Sequence, residues 1–258
     1  MKQTPMFVEY GDGDKRVYVF SPVMPIWDAG EFFRPLTSFF AKKKYRVVIF
    51  DSLSILDDEP FSFSTFVHRW EQALEHWAVP DLIAGGALGG ALAQALVGST
   101  RLSGCKRLLL ISAPTKSDQM LEMQLGSMIQ LVNAGDVPGA KSLLDRLVIA
   151  DGDITAPNAP EFCTQAFPIK VQGKRLAEGF QLLKGIDLTQ ALKSFQGRVL
   201  SIYGQKSQLV KRHNVCTPQD NVRVVEVPKG GMRPLTDNLP LVLGSIQEHL
   251  ISTTKVGV

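Results

Sequence analysis

The sequence predicts an α/β fold with a mostly parallel central sheet and helices on both faces. Three observations carry this. Several strand-length runs are apolar throughout, among them YRVVIFD (45–51), KRLLLIS (106–112) and GRVLSIYG (197–204). Continuous apolarity is expected of strands buried on both faces, the condition of a parallel sheet covered by crossover helices. Segments with apolar residues at helical spacing separate these runs. Finally, LIAGGALGGALAQALV (82–97) reads as a buried strand that turns through glycines directly into an amphipathic helix.

The elements follow in order. Met6–Tyr10 and Arg16–Phe20, separated by GDGD, read as a β-hairpin. A helix is expected over roughly Asp28–Lys42, where Phe32, Phe33, Leu36, Phe39 and Phe40 recur at helical spacing. YRVVIFD is the next strand, and a helix over about Ser64–Trp77 places Phe66, Trp70, Leu74 and Trp77 on one face. The glycine-turn strand and helix come next, then KRLLLIS. From about Thr115 to Ala191 the strand signal is lost, and three helical patterns broken by Gly, Pro and Asn read as a helical insertion. Strand signals resume at GRVLSIYG and NVRVVEVP (221–228), and a helix over about Pro240–Ile251 closes the chain. The expected division is a core of residues 1–114 and 192–258 with a cap of 115–191.

The totals exclude some function classes. The chain has 258 residues, of which 45% are hydrophobic and 21% charged, with a net charge of +3. That suits a globular domain with a sizeable core. The basic residues are scattered, and Lys42-Lys43-Lys44 reads as a solvated helix end rather than as part of a nucleic-acid surface. Three cysteines (Cys105, Cys163, Cys216) have no metal-ligand spacing, which fits reduced thiols in a cytoplasmic protein. No signal-peptide h-region and no bilayer-length apolar stretch is seen, so neither secretion nor a membrane span is expected. No metal and no cofactor is expected.

The order of these elements, together with GGALGGALAQALV, resembles the α/β-hydrolase superfamily. The turn is close to the GHSLGGALAQ type of elbow found in lipase-, esterase- and thioesterase-like members. YRVVIFD, the cap following KRLLLISAP, RVLSIYGQKSQLV and VPKGGMRPLTDNLP support the match along essentially the whole chain. The resemblance implies an α/β-hydrolase fold with a helical cap inserted after the sixth strand. It also implies a serine, an acid and a histidine in chain order, the serine attacking an acyl carbonyl and the histidine taking its proton. The matching positions hold Ala87, Ser207 and Met232. Alanine has neither lone pair nor proton for covalent catalysis. An engineered serine-to-alanine change would leave the other two members in place; their joint loss reads as a naturally non-hydrolytic protein. The oxyanion segment is also altered: SPVMP carries Pro22 and Pro25, which lack N–H groups, leaving the amides of Leu88 and of Val23 or Met24 for a partial hole.

No substitute set emerges from the remaining residues. His68, His76 and His249 read as surface or helix-end residues, and His213 is the histidine placed nearest the cleft. Cys105 sits at the wrong end of its strand for ligand chemistry, and Cys163 has no evident base. Asp51 reads as a cap or turn residue at a strand's C-terminal end, Asp57-Asp58-Glu59 as a solvated acidic loop, and Asp237 as a residue that caps or begins the final helix. Gly85, Gly89 and Gly90 are expected to permit a close strand–helix approach. The cap stripe Met120, Met123, Leu125, Met128 and Leu131 reads as core, or as the adaptable roof of an apolar cleft.

The expected function is therefore a non-hydrolytic protein binding an apolar small molecule or an acyl or polyketide-like chain. Val23, Met24, Gly86, Ala87, Leu88, Met120, Met123 and Met232 are the expected contacts. Two alternatives stay open: a cyclase, lyase or isomerase that works by positioning, and a regulatory or structural subunit with a closed cleft that binds another protein.

Overall fold

The computed structural model describes residues 4–57, 62–99, 102, 104–153 and 167–251. Seven strands form one sheet: β1 (Phe7–Tyr10), β2 (Lys15–Phe20), β3 (Tyr45–Phe50), β4 (Leu82–Gly86), β5 (Arg107–Ile111), β6 (Arg198–Gly204) and β7 (Val222–Val227), in the order β1-β3-β2-β4-β5-β6-β7. All neighbours pair in parallel except β1, which runs antiparallel to β3.

The expected hairpin is corrected by this order. β1 pairs with β3, Phe7 opposite Phe50, and does not pair with β2. The GDGD segment instead crosses the N-terminal end of β3. At Gly13 an added Cβ would lie 1.7 Å from the Lys44 carbonyl oxygen, and at Gly11, where φ is +76°, 2.4 Å from that of Tyr45. The glycines that suggested a tight turn serve a close chain crossing.

Strand alternation sorts side chains into two cores. Tyr18, Phe20, Val48, Phe50, Ile83, Leu108 and Leu110 face one side, where α2 (Phe63–Ala73) and α3 (Ala87–Val97) pack. Val17, Val19, Val47, Ile49, Leu109, Leu200 and Ile202 face the other, against α1 (Arg34–Lys42) and α9 (Leu239–Ile251). Both faces are dry, so the strands can be apolar at every position. The expected first helix begins instead as a 3-10 turn at Glu31–Phe33 before α1.

The helical insertion consists of α4 (Gln119–Asn133), α5 (Val137–Val148) and α6 (Ile169–Leu182), with α7 (Thr189–Ser194) leading back to the sheet. It leaves the sheet after the fifth strand of this chain, not the sixth, because only five strand-length runs precede it. Asp118 and Asp136 accept amide hydrogens at the starts of α4 and α5, from Leu121 at 2.8 Å and Gly139 at 2.8 Å, satisfying helix-end donors.

Docking of the insertion depends on a buried ion pair. Arg175 on α6 donates to both carboxylate oxygens of Asp51 at the end of β3, at 3.0 and 2.8 Å, and to the Met24 carbonyl at 3.0 Å. The two side chains are only 12% and 2% exposed. Asp51 is thus neither a free ligand contact nor a simple turn residue. Removing one partner strands the other charge in a dry site, which costs about 3–5 kcal/mol. Arg175→Met or Asp51→Asn should lower the urea unfolding free energy by that amount, while the double change to Met and Leu should recover part of the loss. If either single change leaves stability within about 1 kcal/mol of wild type, the pair does not hold the insertion.

His249 lies at the end of α9 as expected, but it is not on the surface. It is buried beneath α9, and burial, with the nearby Arg198, Arg107 and Arg223, lowers its pKa to about 3. The native state keeps the ring neutral, whereas the unfolded chain takes up a proton below about pH 6.5. Stability from this group is therefore complete above pH 6.5 and is lost as pH falls towards 3. Between pH 7.5 and 4.5 the loss should be about 2–3 kcal/mol. Urea unfolding of wild type and His249→Phe at both pH values isolates this contribution; equal losses would disprove it.

Candidate functional site

Strand order reverses between β2 and β4. β2 is flanked by β3 on one side and β4 on the other, with the connecting helices on opposite faces. In open α/β sheets this reversal opens a crevice at the strands' carboxyl ends. A cavity of about 520 Å3 lies there. Its floor and sides come from the Pro22–Ile26 segment after β2, Ala87 after β4, Ile111 and Ser112 at the end of β5, and Leu209, Val210 and Met232. Leu121, Leu125, Leu144, Val148, Phe180 and Leu183 of the helical insertion roof it.

The floor is a strained turn. Ala87 opens α3 with φ +45°, a left-handed conformation that costs a residue with a Cβ about 1–2 kcal/mol. The preceding Gly86 gives no side-chain cap, so the helix begins with uncapped amides directed at the crevice end. The glycines behind the turn are required by contact. A Cβ on Gly89 would lie 2.1 Å from the Phe20 carbonyl oxygen, and one on Gly90 would lie 2.2 Å from the Ala113 Cβ. A buried network fixes the helix from the other side: Thr115 donates to Gln94 Oε1 at 2.7 Å, and Gln94 donates to the carbonyls of Gly90 and Pro114.

The walls are tied to the insertion. Gln208 donates to the Arg146 and Ile149 carbonyls, and the Met232 amide donates to the Val148 carbonyl at 2.9 Å. Both turns after β6 and β7 therefore hold the C-terminal end of α5.

Of the expected contacts, Val23, Met24, Ala87 and Met232 line the cavity. Met232 is buried at 8% exposure. Gly86 and Leu88 do not line it; both are buried behind the turn, Leu88 facing the α2–α3 core. Met120 and Met123 do not line it either, being 44% and 55% exposed. The inward face of α4 is Leu121, Leu125 and Met128, so Leu125 and Met128 of the expected stripe turn inward while Met120 and Met123 face outward. Ser207 is buried in the turn after β6, outside the cavity lining, and its hydroxyl has no hydrogen-bond partner.

No histidine or cysteine lines the cavity among the described residues. His213 pairs with Asp118 at 2.5 Å at the start of α4, where both are partly exposed. His68 and His76 pair with surface glutamates. Burial pushes the Cys105 thiol up to about 11 and moves Cys216 in the same direction, which suppresses thiolate. Cys163, Asp58 and Glu59 lie outside the described residues. Asp237, at the end of α8 (Pro234–Asp237), does not cap the final helix; it accepts the Gly231 amide at 2.8 Å, and burial raises its pKa.

Sequence reasoning missed several lining groups. Asp28 accepts the amides of Gly30 at 2.9 Å and Phe32 at 2.7 Å, and burial raises its pKa. Ser112, next to Ile111, which pairs with Gly86 across the strands, has a buried hydroxyl without a partner and φ +46°. Arg233, directly after Met232, also lines the cavity. No sequence pattern marks these residues; proximity alone selects them.

Solved structures with the same architecture cover nearly the whole chain. MGS-M2, an alpha/beta hydrolase enzyme from a Medee basin deep-sea metagenome library, superposes with a TM-score of 0.80 and 14% identity over 97% of this chain and 95% of that one. The fold is that of the α/β hydrolases. A bromoperoxidase from Bacillus anthracis (TM-score 0.74, 15% identity, 95% of each chain) and an esterase from Exiguobacterium antarcticum (0.73, 14%, 96% of each) share it. No protein-family model and no curated protein sequence matches this chain. At such identities the likeness extends to the α/β-hydrolase fold alone.

The turn geometry makes a direct prediction. Ala87→Gly relieves the left-handed strain and should raise the unfolding free energy by up to about 1 kcal/mol. Gly89→Ala forces a Cβ onto the Phe20 carbonyl and should lower it by at least about 2 kcal/mol. Urea denaturation of the two variants checks the pair; a stable Gly89→Ala would mean the strand–helix approach is looser than described.

Proposed function

We propose that this chain is a non-hydrolytic member of the α/β-hydrolase superfamily that binds an apolar small molecule or acyl chain in the cavity above Ala87. The observation that carries the reading is the conjunction at the floor. A strained strand-to-helix turn, the geometry that presents a nucleophile in the fold, presents a methyl group to a mainly apolar cavity of about 520 Å3. That volume lies within the usual range for small-molecule sites. An open cavity favours ligand binding over a closed cleft that acts only through a protein partner. Met232 and Ser207 stand where the resemblance places the histidine and the acid, which supports loss of the whole apparatus. A positioning enzyme that uses the same cavity remains the second reading, favoured by the uncapped start of α3, whose amides suit a developing negative charge.

Three measurements test the proposal. With p-nitrophenyl acetate the protein should show neither burst nor turnover above background; an acyl-enzyme burst would sink the non-hydrolytic claim. The triple change Ala87→Ser, Ser207→Asp and Met232→His should introduce esterase activity if those three positions correspond to the family's set. N-phenyl-1-naphthylamine, a neutral apolar fluorophore, should bind, and Leu125→Trp, which fills the roof, should weaken that binding at least tenfold. Absence of binding, or indifference to Leu125→Trp, would favour the closed-cleft alternative.

A further inference from the structure

We infer that the cavity's ligand carries an acidic head group, a carboxylate or its equivalent, held against Arg233 with its apolar body under the helical roof. This rests on the small-molecule reading above and specifies the ligand class. Six charged side chains line it: Asp28, Glu31, Arg34, Lys141, Asp145 and Arg233. Four of them are ion-paired with one another, and the fifth, Asp28, is held by backbone amides. Glu31 pairs with Arg34 at 3.4 Å, Lys141 pairs with Asp145 at 3.0 Å, and Asp28 accepts two backbone amides.

Arg233 differs. It is half-buried, directly follows Met232 in the wall, and has no carboxylate within ion-pair distance among the described residues. Asp237 is the nearest candidate in sequence. It feels the Arg233 charge, yet its carboxylate is committed to the Gly231 amide and no ion pair forms. A guanidinium beside apolar surface without a directly paired carboxylate is costly, and it offers a planar fork matched to one.

The remaining unmatched polar group is also a donor. Ser112 lines the same cavity, is 1% exposed, and its hydroxyl finds no acceptor. Together the two groups offer an O–H and several N–H donors, and the Ser112 oxygen can accept as well. The complement is a ligand rich in oxygen acceptors at one end and apolar elsewhere. A neutral hydrocarbon would leave the Arg233 fork without a hydrogen-bonded acceptor.

The test uses a matched pair of probes of one chain length, decanoate and 1-decanol, titrated calorimetrically into the full chain at pH 7.5. Decanoate should bind at least tenfold more tightly than decanol. Arg233→Gln should cost decanoate at least tenfold and leave decanol within about twofold, because a deleted cation loses only the head-group contact. Arg233→Lys should recover part of the loss. Ser112→Ala should weaken decanoate by a few-fold, the size of one hydrogen bond. If decanol binds and decanoate binds no better, or if Arg233→Gln weakens both equally, the head-group inference fails while the cavity reading stands. If neither probe nor N-phenyl-1-naphthylamine binds, the cavity reading fails as well, and the inference with it.

Discussion

The Asp51–Arg175 ion pair is the constraint on which the site depends. It joins the end of β3 to the middle of α6, and the third hydrogen bond of the same guanidinium grips the Met24 carbonyl. One side chain therefore fixes three things: the sheet, the roof and the segment between them that lines the cavity. The geometry also explains the use of arginine. Its fork can satisfy both carboxylate oxygens and still present Nε to a carbonyl, which a lysine ammonium cannot do in one plane. Buried pairs of this kind are weak contributors to net stability but severe when broken. Here the pair acts to place the roof.

Beneath that roof the elbow retains costly features. Ala87 sits at a left-handed φ, Gly89 and Gly90 leave no room for side chains, and a satisfied polar network around Gln94 locks the helix behind them. These features serve the strand-to-helix connection itself. β4 and α3 must approach closely enough for the α2–α3 core to close, whatever group stands at the tip. The turn is therefore required as architecture, and its strain is not evidence of reactivity. What stands at the tip decides only the chemistry offered to the cavity.

The sheet and the order of its helices were legible in the sequence because burial on both faces leaves an unmistakable apolar record. YRVVIF, RLLLI and RVLSIYG carry it. The elbow glycines were legible for a related reason, since a close approach tolerates few residue types. The hairpin failed because GDGD fits two geometries equally well, a tight turn and a crossing over the end of β3, and only the long-range pairing of β1 with β3 separates them. The expected stripe on α4 split, Leu125 and Met128 turning inward and Met120 and Met123 outward, because α4 carries apolar residues on two faces. Local periodicity cannot say whether Met120 and Met123 or Leu121 and Leu125 turn inward.

By itself the sequence determined the class of fold, the position of the strained turn and the residue at its tip, all of which are local consequences of pattern and steric tolerance. The tertiary structure alone decided the ion pair between residues 51 and 175, the burial of His249, and the meeting of Ser112, Arg233 and Ala87 around one cavity. Those depend on which distant segments share a dielectric environment and a wall. Neither is written in any stretch of chain short enough to be read as a motif.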